Sequence, residues 1–245
     1  MADELEIGDA SETAPVAAQP DSAASHTEDL ALAQLEDRTL DSEAVERISR
    51  DAAVMKSRKV RLAIASHPKA PRRIALRLIR ELYTFELMQF ALTPAAAADL
   101  KHIAEELLVS RLASVTLGER ISLARRSSTL VAGALLLDKE SQVWQPALEN
   151  ARLTEAAIVK AVQRTGASAA FVEVVSHHPK WSVRREVQVA LLRNVHTPVA
   201  KAIEFARRIP PRQLRDILHA SRLPERIKSL LRNERSDRGP QTSDA

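Results

Sequence analysis

His177-His178-Pro179-Lys180, followed by Arg184-Arg185, then Leu191-Leu192-Arg193 and Thr197, decides how this chain folds, because the same succession of cues occurs once before. Ser66-His67-Pro68-Lys69 is followed in the same way by Arg72-Arg73, by Leu78-Ile79-Arg80 and by Thr84. The histidines align at an offset of 111 residues and the threonines at 113, so the two copies differ slightly in turn length. After each threonine comes a helix ending in a Phe-Ala pair, Phe90-Ala91 and Phe205-Ala206, which marks one buried position in both copies. A fainter copy runs from Val131 to Val162, where Ala147-Leu148-Glu149-Asn150 and Thr154 echo Ala190-Leu191-Leu192-Arg193-Asn194 and Thr197. A hairpin whose apolar flank only another copy can cover predicts a stack of repeats.

The apolar spacing between these cues is helical. Leu100, Ile103, Ala104, Leu107, Leu108 and Leu112 recur at three and four residues and so share one helix face. The same reading fits Ile74, Leu78, Ile79 and Leu82, then Ile121, Leu123 and Ala124, then Val183, Val187, Leu191 and Val195. Breaks are expected at His67-Pro68, Thr93-Pro94, Leu117-Gly118, Gln145-Pro146, Thr165-Gly166, His178-Pro179, Thr197-Pro198, Ile209-Pro210-Pro211 and Leu223-Pro224. Thr154 and Thr197 are read as helix N-caps.

Composition agrees with an all-helical chain. Five glycines, one tyrosine, four phenylalanines and two tryptophans in 245 residues leave few of the residues that strands favour, whereas Ala, Leu, Arg and Glu are strong helix formers. With no cysteine there is no disulfide, thiolate metal site or cysteine nucleophile. The longest apolar run, Leu130 to Leu137, is far below the ~20 residues of a membrane span. Asp3, Glu4 and Glu6 stand where a secretion signal would be basic, so the expectation is a cytoplasmic protein without membrane contact.

Charge is distributed unevenly. Residues 1–50 hold thirteen acids against three bases, and residues 51–245 hold nineteen acids against thirty-three bases, so a net −10 precedes a net +14. The expected organisation is a disordered acidic tail over 1–27, a repeat domain over 28–234 and a second disordered tail over 235–245. An acidic leader before a basic body also raises the expectation that the leader folds back and competes for the basic surface; a solubilising leader without contacts is the plainer reading.

The Asn194-Val195-His196-Thr197-Pro198 turn, the two His-Pro-Lys turns and Leu117-Gly118-Glu119-Arg120-Ile121-Ser122-Leu123-Ala124-Arg125 resemble bacterial HEAT-like and leucine-rich-repeat-variant proteins of uncharacterised function. The resemblance covers roughly Leu40 to Leu231. It implies a short right-handed α-solenoid of stacked hairpins, expected to be monomeric. Leucine-rich-repeat-variant proteins can carry a cysteine-bound iron-sulfur module, which this chain has no residues to hold. HEAT-like folds also serve as scaffolds, DNA-repair glycosylases and pigment lyases, and no residue pattern here matches either enzyme type.

Candidate binding residues are the arginine pairs Arg72-Arg73, Arg125-Arg126, Arg184-Arg185 and Arg207-Arg208, with Lys69 and Lys180. Equivalent positions of a repeat fall on one face, so these residues would form a basic groove for an acidic protein or a nucleic-acid backbone; a solvated surface is the plainer reading. Few aromatics accompany them, which argues against stacking of single strands. Trp144 and Trp181 are read as buried seams, with partner anchoring as the alternative. His67, His177, His178 and His196 lack metal-ligand spacing and are read as turn residues. Asp138, Glu140 and Glu149 are catalytic candidates by type alone. The expectation is therefore a non-enzymatic scaffold with no cofactor that binds a protein partner, and a backbone-reading nucleic-acid binder is the alternative.

Overall fold

The computed structural model describes residues 20–236, with side chains from 27 to 233. Most of the expected N-terminal tail therefore lies outside the described residues, but from Pro20 the chain is already helical, so a helix reaches into the stretch read as tail. The last helix runs to Ser236, and the remainder of the expected C-terminal tail also lies outside the described residues. Among the described residues the regular elements are fifteen α-helices and one 3-10 turn, with no strand.

The chain divides into two compact units, residues 1–78 and 79–245. The first contains α1 (Pro20–Glu36), α2 (Ser42–Arg50), a 3-10 turn (Val54–Lys56), α3 (Arg58–Ser66) and the start of α4 (Arg72–Glu81). Asp41 caps α2 by accepting the Ala44 amide at 2.6 Å, and Ser57 caps α3 through the Val60 amide. α1 packs on α3, the 3-10 turn touches α1, α2 and α3, and Ala31, Leu35, Val45, Val54, Val60 and Ile64 are buried.

The second unit continues from the end of α4 through α5 (Thr84–Leu92), α6 (Ala98–Arg111), α7 (Leu117–Arg126), α8 (Thr129–Leu135), α9 (Ser141–Leu148) and α10 (Glu155–Gln163). It ends with α11 (Ala169–His177), α12 (Arg185–Arg193), α13 (Val199–Arg208), α14 (Pro211–His219) and α15 (Glu225–Ser236). Helices this short are marginal in isolation, so tertiary packing must hold them. The main contacts join each helix to its neighbour or to the helix after that: α6 with α8, α8 with α10, α10 with α12 and α12 with α14, and in parallel α7 with α9, α9 with α11 and α13 with α15. Phe90, Phe171 and Phe205 are the largest fully buried side chains, and Ala91 and Ala206 are buried beside the first and last, as the Phe-Ala repeat predicts. Gly133 serves close approach: a Cβ there would stand 3.4 Å from that of Ala157, where α8 meets α10.

The scarcity of glycine has a structural counterpart at the helix ends. Many helices use left-handed glycine to stop, yet no described residue has positive φ. Here the residue after the helix turns to extended backbone and its N–H closes on the carbonyl three residues back: His67 on Ile64, Thr93 on Phe90, Arg164 on Ala161, His178 on Val175, Asn194 on Leu191, Ile209 on Ala206. Extended geometry at this position also suits a residue that precedes proline, as in His67-Pro68, Thr93-Pro94, His178-Pro179 and Ile209-Pro210.

Three local expectations are corrected. Pro146 does not break the chain but sits buried inside α9, its neighbours Val143, Trp144, Ala147 and Leu148 also buried, so core packing offsets the missing backbone hydrogen bond. Val183 and Val195 do not join Val187 and Leu191 on one stripe. The amides of Trp181 and Ser182 both bond the His178 carbonyl in a turn, α12 begins only at Arg185, and the two valines are 60% and 44% exposed. Thr154 caps α10 by accepting the Ala157 amide at 3.3 Å, but Thr197 is no N-cap: its hydroxyl donates to the Leu191 carbonyl at 2.6 Å, tying the turn back onto α12.

Candidate functional site

Several turns contain a polar side chain with two tasks. It accepts the N–H two residues ahead, fixing the turn, and in most cases it also donates to a carbonyl of an earlier turn. Asn150, fully buried, accepts from the Arg152 amide at 2.8 Å and donates to the carbonyls of Ala124 and Ser127 at 2.8 and 3.0 Å. Asn194 accepts from the His196 amide and donates to the Val162 carbonyl at 2.6 Å. Ser221 accepts from the Leu223 amide and donates to the Leu192 carbonyl at 2.6 Å. In the first unit, His67 Nδ1 accepts the Lys69 amide, which leaves Nε2 to carry the proton given to the Asp37 carbonyl at 3.1 Å. His178 accepts the Lys180 amide in the same way, and there the neighbouring Trp181 supplies the long reach, its indole donating to the Leu148 carbonyl at 2.8 Å. Donors of this kind satisfy helix-end carbonyls that would otherwise be left unpaired.

These bonds bring turns together. Asn150 joins the α9–α10 turn to the α7–α8 turn, Trp181 joins the α11–α12 turn to the α9–α10 turn, and Arg185 at the start of α12 donates to Gln213 at the start of α14. Arg125 and Arg126 end α7, Arg184 and Arg185 begin α12, and Arg207 and Arg208 end α13, so all three pairs of the second unit lie at turns of this linked series, with Lys180 among them. All seven residues are exposed. Their surroundings differ. Arg208 is paired to Glu204 at 2.8 Å, Arg126 lies over the Phe85 ring at 6.0 Å, and the Lys180 ammonium sits 4.3 Å from the Trp181 ring centroid. Glu204 also takes Lys201 at 2.8 Å, and the hydrogen bond from Lys201 holds its carboxyl below the ordinary range. Arg152, which the sequence reading did not single out, belongs to the same series, its guanidinium donating to the Arg126 carbonyl at 3.3 Å.

Lys69, Arg72 and Arg73 belong to the first unit and are exposed. Arg73 bridges to Glu46 on α2, which also takes Arg50 at 2.6 Å, and the hydrogen bond from Arg73 holds the Glu46 carboxyl low. Arg73 therefore fastens α4 to α2.

The tryptophans are seams. Trp144, almost fully buried, packs edge-on to Phe171 with centroids 5.7 Å apart and donates to the Asp138 carbonyl, and Trp181 is 3% exposed. Asp138 pairs with Arg120 at 3.3 Å, both side chains largely buried, and accepts the Glu140 amide, which makes it a turn and pairing residue. Glu149 accepts Gln145 on its own helix. Burial pushes the His178 imidazole down, nearby Lys180 adds to this, and Glu149 opposes it. Among the described residues no three His, Asp or Glu side chains are grouped as a metal ion would require, and no helix is long and apolar enough to cross a membrane.

With this geometry in hand, comparison with protein-family models, with curated proteins and with solved structures finds nothing that matches the chain.

Proposed function

We propose that the chain is a HEAT-like α-solenoid scaffold, without catalytic activity, that binds an acidic protein segment along the arginine-bearing turns of its second unit. The solenoid reading is supported by packing between next-but-one helices and by turn-to-turn hydrogen bonds that span 23 to 33 residues, about one hairpin each. The observation that carries the binding reading is that Arg125, Arg126, Lys180, Arg184, Arg185, Arg207 and Arg208 are exposed on that one hydrogen-bonded series of turns, with Arg152 between them. Arginine suits carboxylates because its planar fork donates two parallel hydrogen bonds.

The test is fluorescence anisotropy of a labelled glutamate-rich peptide and of a short DNA duplex against the full chain across a salt series. Saturable peptide binding, weakened about tenfold by the double charge reversal R184E/R185E, is expected. Duplex binding without peptide binding would replace this reading with the nucleic-acid one, and no binding of either at low salt would remove both.

A further inference from the structure

At the opposite end of α12 from Arg185, the α10–α11, α12–α13 and α14–α15 turns enclose a concavity of about 440 Å³. Its lining carries three arginines, Arg164, Arg193 and Arg222, one from each turn, spaced by 29 residues each time. Among the described residues no carboxylate lines it. Elsewhere in the fold arginines meet acids, as Arg50 and Arg73 meet Glu46, Arg120 meets Asp138 and Arg208 meets Glu204. Arg193 is half-buried, whereas Arg164 and Arg222 are exposed. Three arginines lining one hollow repel each other unless an anion joins them.

The turns are rigidly set. Asn194 donates to the Val162 carbonyl, Ser221 to the Leu192 carbonyl, and the Arg222 amide to the Arg193 carbonyl at 3.1 Å. Arg164 and Arg193 stand at helix C-termini, where the helix dipole helps to hold a cation before any ligand arrives. His196 adds an exposed imidazole, and Val162, Ala167 and Ala190 give the hollow an apolar wall.

We infer that this hollow is a binding site for a small molecule carrying a phosphoryl group, gripped by Arg164, Arg193 and Arg222. Three cations match a dianion with several acceptor oxygens better than a single carboxylate. The volume falls within the ~300–1,000 Å³ of ordinary small-ligand pockets, which favours a compact ligand over a polymer backbone. The site lies apart from the arginine-bearing turns proposed above and does not depend on them.

Isothermal titration of the full chain at low salt with inorganic phosphate, with glycerol 3-phosphate and with succinate tests it. Saturable one-to-one binding of either phosphate probe, at least tenfold tighter than succinate, is expected; the tighter of the two identifies a free or an esterified phosphate as the source. R164Q and R222Q, both at exposed positions, should each weaken binding at least fivefold while the circular dichroism spectrum and melting curve stay unchanged. R193Q should abolish it, and R80Q, at an exposed position on α4 outside both surfaces, should leave it as it was. Absence of saturable binding, succinate binding as tightly as phosphate, or affinity indifferent to R164Q and R222Q in folded protein would each overturn the inference.

Discussion

Replacing Asn150 by leucine should destabilise the second unit more than any other single change at a turn. The side chain is 1% exposed and makes three hydrogen bonds: two donated, to the Ala124 and Ser127 carbonyls at 2.8 and 3.0 Å, and one accepted from the Arg152 amide at 2.8 Å. Leucine keeps the branch at Cγ and the number of side-chain heavy atoms, so the polar loss dominates, and its bulkier methyl groups can only add to the cost. Each bond contributes about 1 kcal/mol net, and both carbonyls would be left facing apolar groups, so the expected cost is about 3–4 kcal/mol. Against a total stability of about 5–15 kcal/mol this is large. At roughly 2–4 °C per kcal/mol for a unit of this size, it corresponds to a drop of roughly 6–16 °C in Tm. The chain has two tryptophans, Trp144 and Trp181, both in the second unit, so tryptophan fluorescence during urea unfolding reads that unit selectively. Asn194→Leu should cost about half as much, because that residue is only half-buried and reaches a single distant carbonyl. Should Asn150→Leu unfold within 1 kcal/mol of the parent, or no sooner than Asn194→Leu, the idea that these amides bind turn to turn is wrong.

Three further outcomes follow from the same geometry. Asp138→Ala leaves Arg120 largely buried without its carboxylate, and chemical denaturation should show a loss of about 3 kcal/mol. Thr116→Ala removes the cap of α7, where the hydroxyl and amide both bond Glu119, and should cost about 1 kcal/mol in the same assay. Acidification should weaken the fold through His178: burial lowers its proton affinity in the folded chain, so the unfolded chain binds more protons below its ordinary value near pH 6.5. That contribution is complete above about pH 6.5 and is lost as the pH falls through and below it, and His178→Asn, which keeps an acceptor for the Lys180 amide, should flatten the slope of Tm against pH.

Much of the helical content could be read directly from residues. Proline and threonine punctuation located most turns because extended backbone before proline is sterically enforced, and Phe90 and Phe205 were recognisable as one recurring buried position. Pro146 misled because punctuation is a local rule and burial is not: nothing adjacent to it reports that α9 is covered by α7 and α11. Val183 misled for the opposite reason, since its spacing from Val187 is helical while the His178 carbonyl holds the backbone just before it in a turn and α12 begins only at Arg185. The arginine pairs stood out as doublets. Arg152, Arg164, Arg193 and Arg222 did not, because a lone arginine carries no signal until the 29-residue spacing of the last three is set beside the hydrogen bonds of Asn194 and Ser221.

The two candidate surfaces have one origin. A helix of nine residues such as α12 is about 13 Å long, so its two ends present separate sets of turns. At the N-terminal end the arginines are exposed and partly matched by acids or rings, which suits an extended partner held by several weak contacts. At the C-terminal end they line one hollow that has no carboxylate among the described residues, which suits a compact anion held by few strong contacts. Because the side-chain clamps at both ends share the helices between them, ligand binding in the hollow would stiffen the turns that Asn194 and Ser221 secure before it reached the outer arginines. Slower amide exchange at Leu191–Asn194 than at Arg184–Arg185 upon phosphate addition is the order this shared scaffold requires.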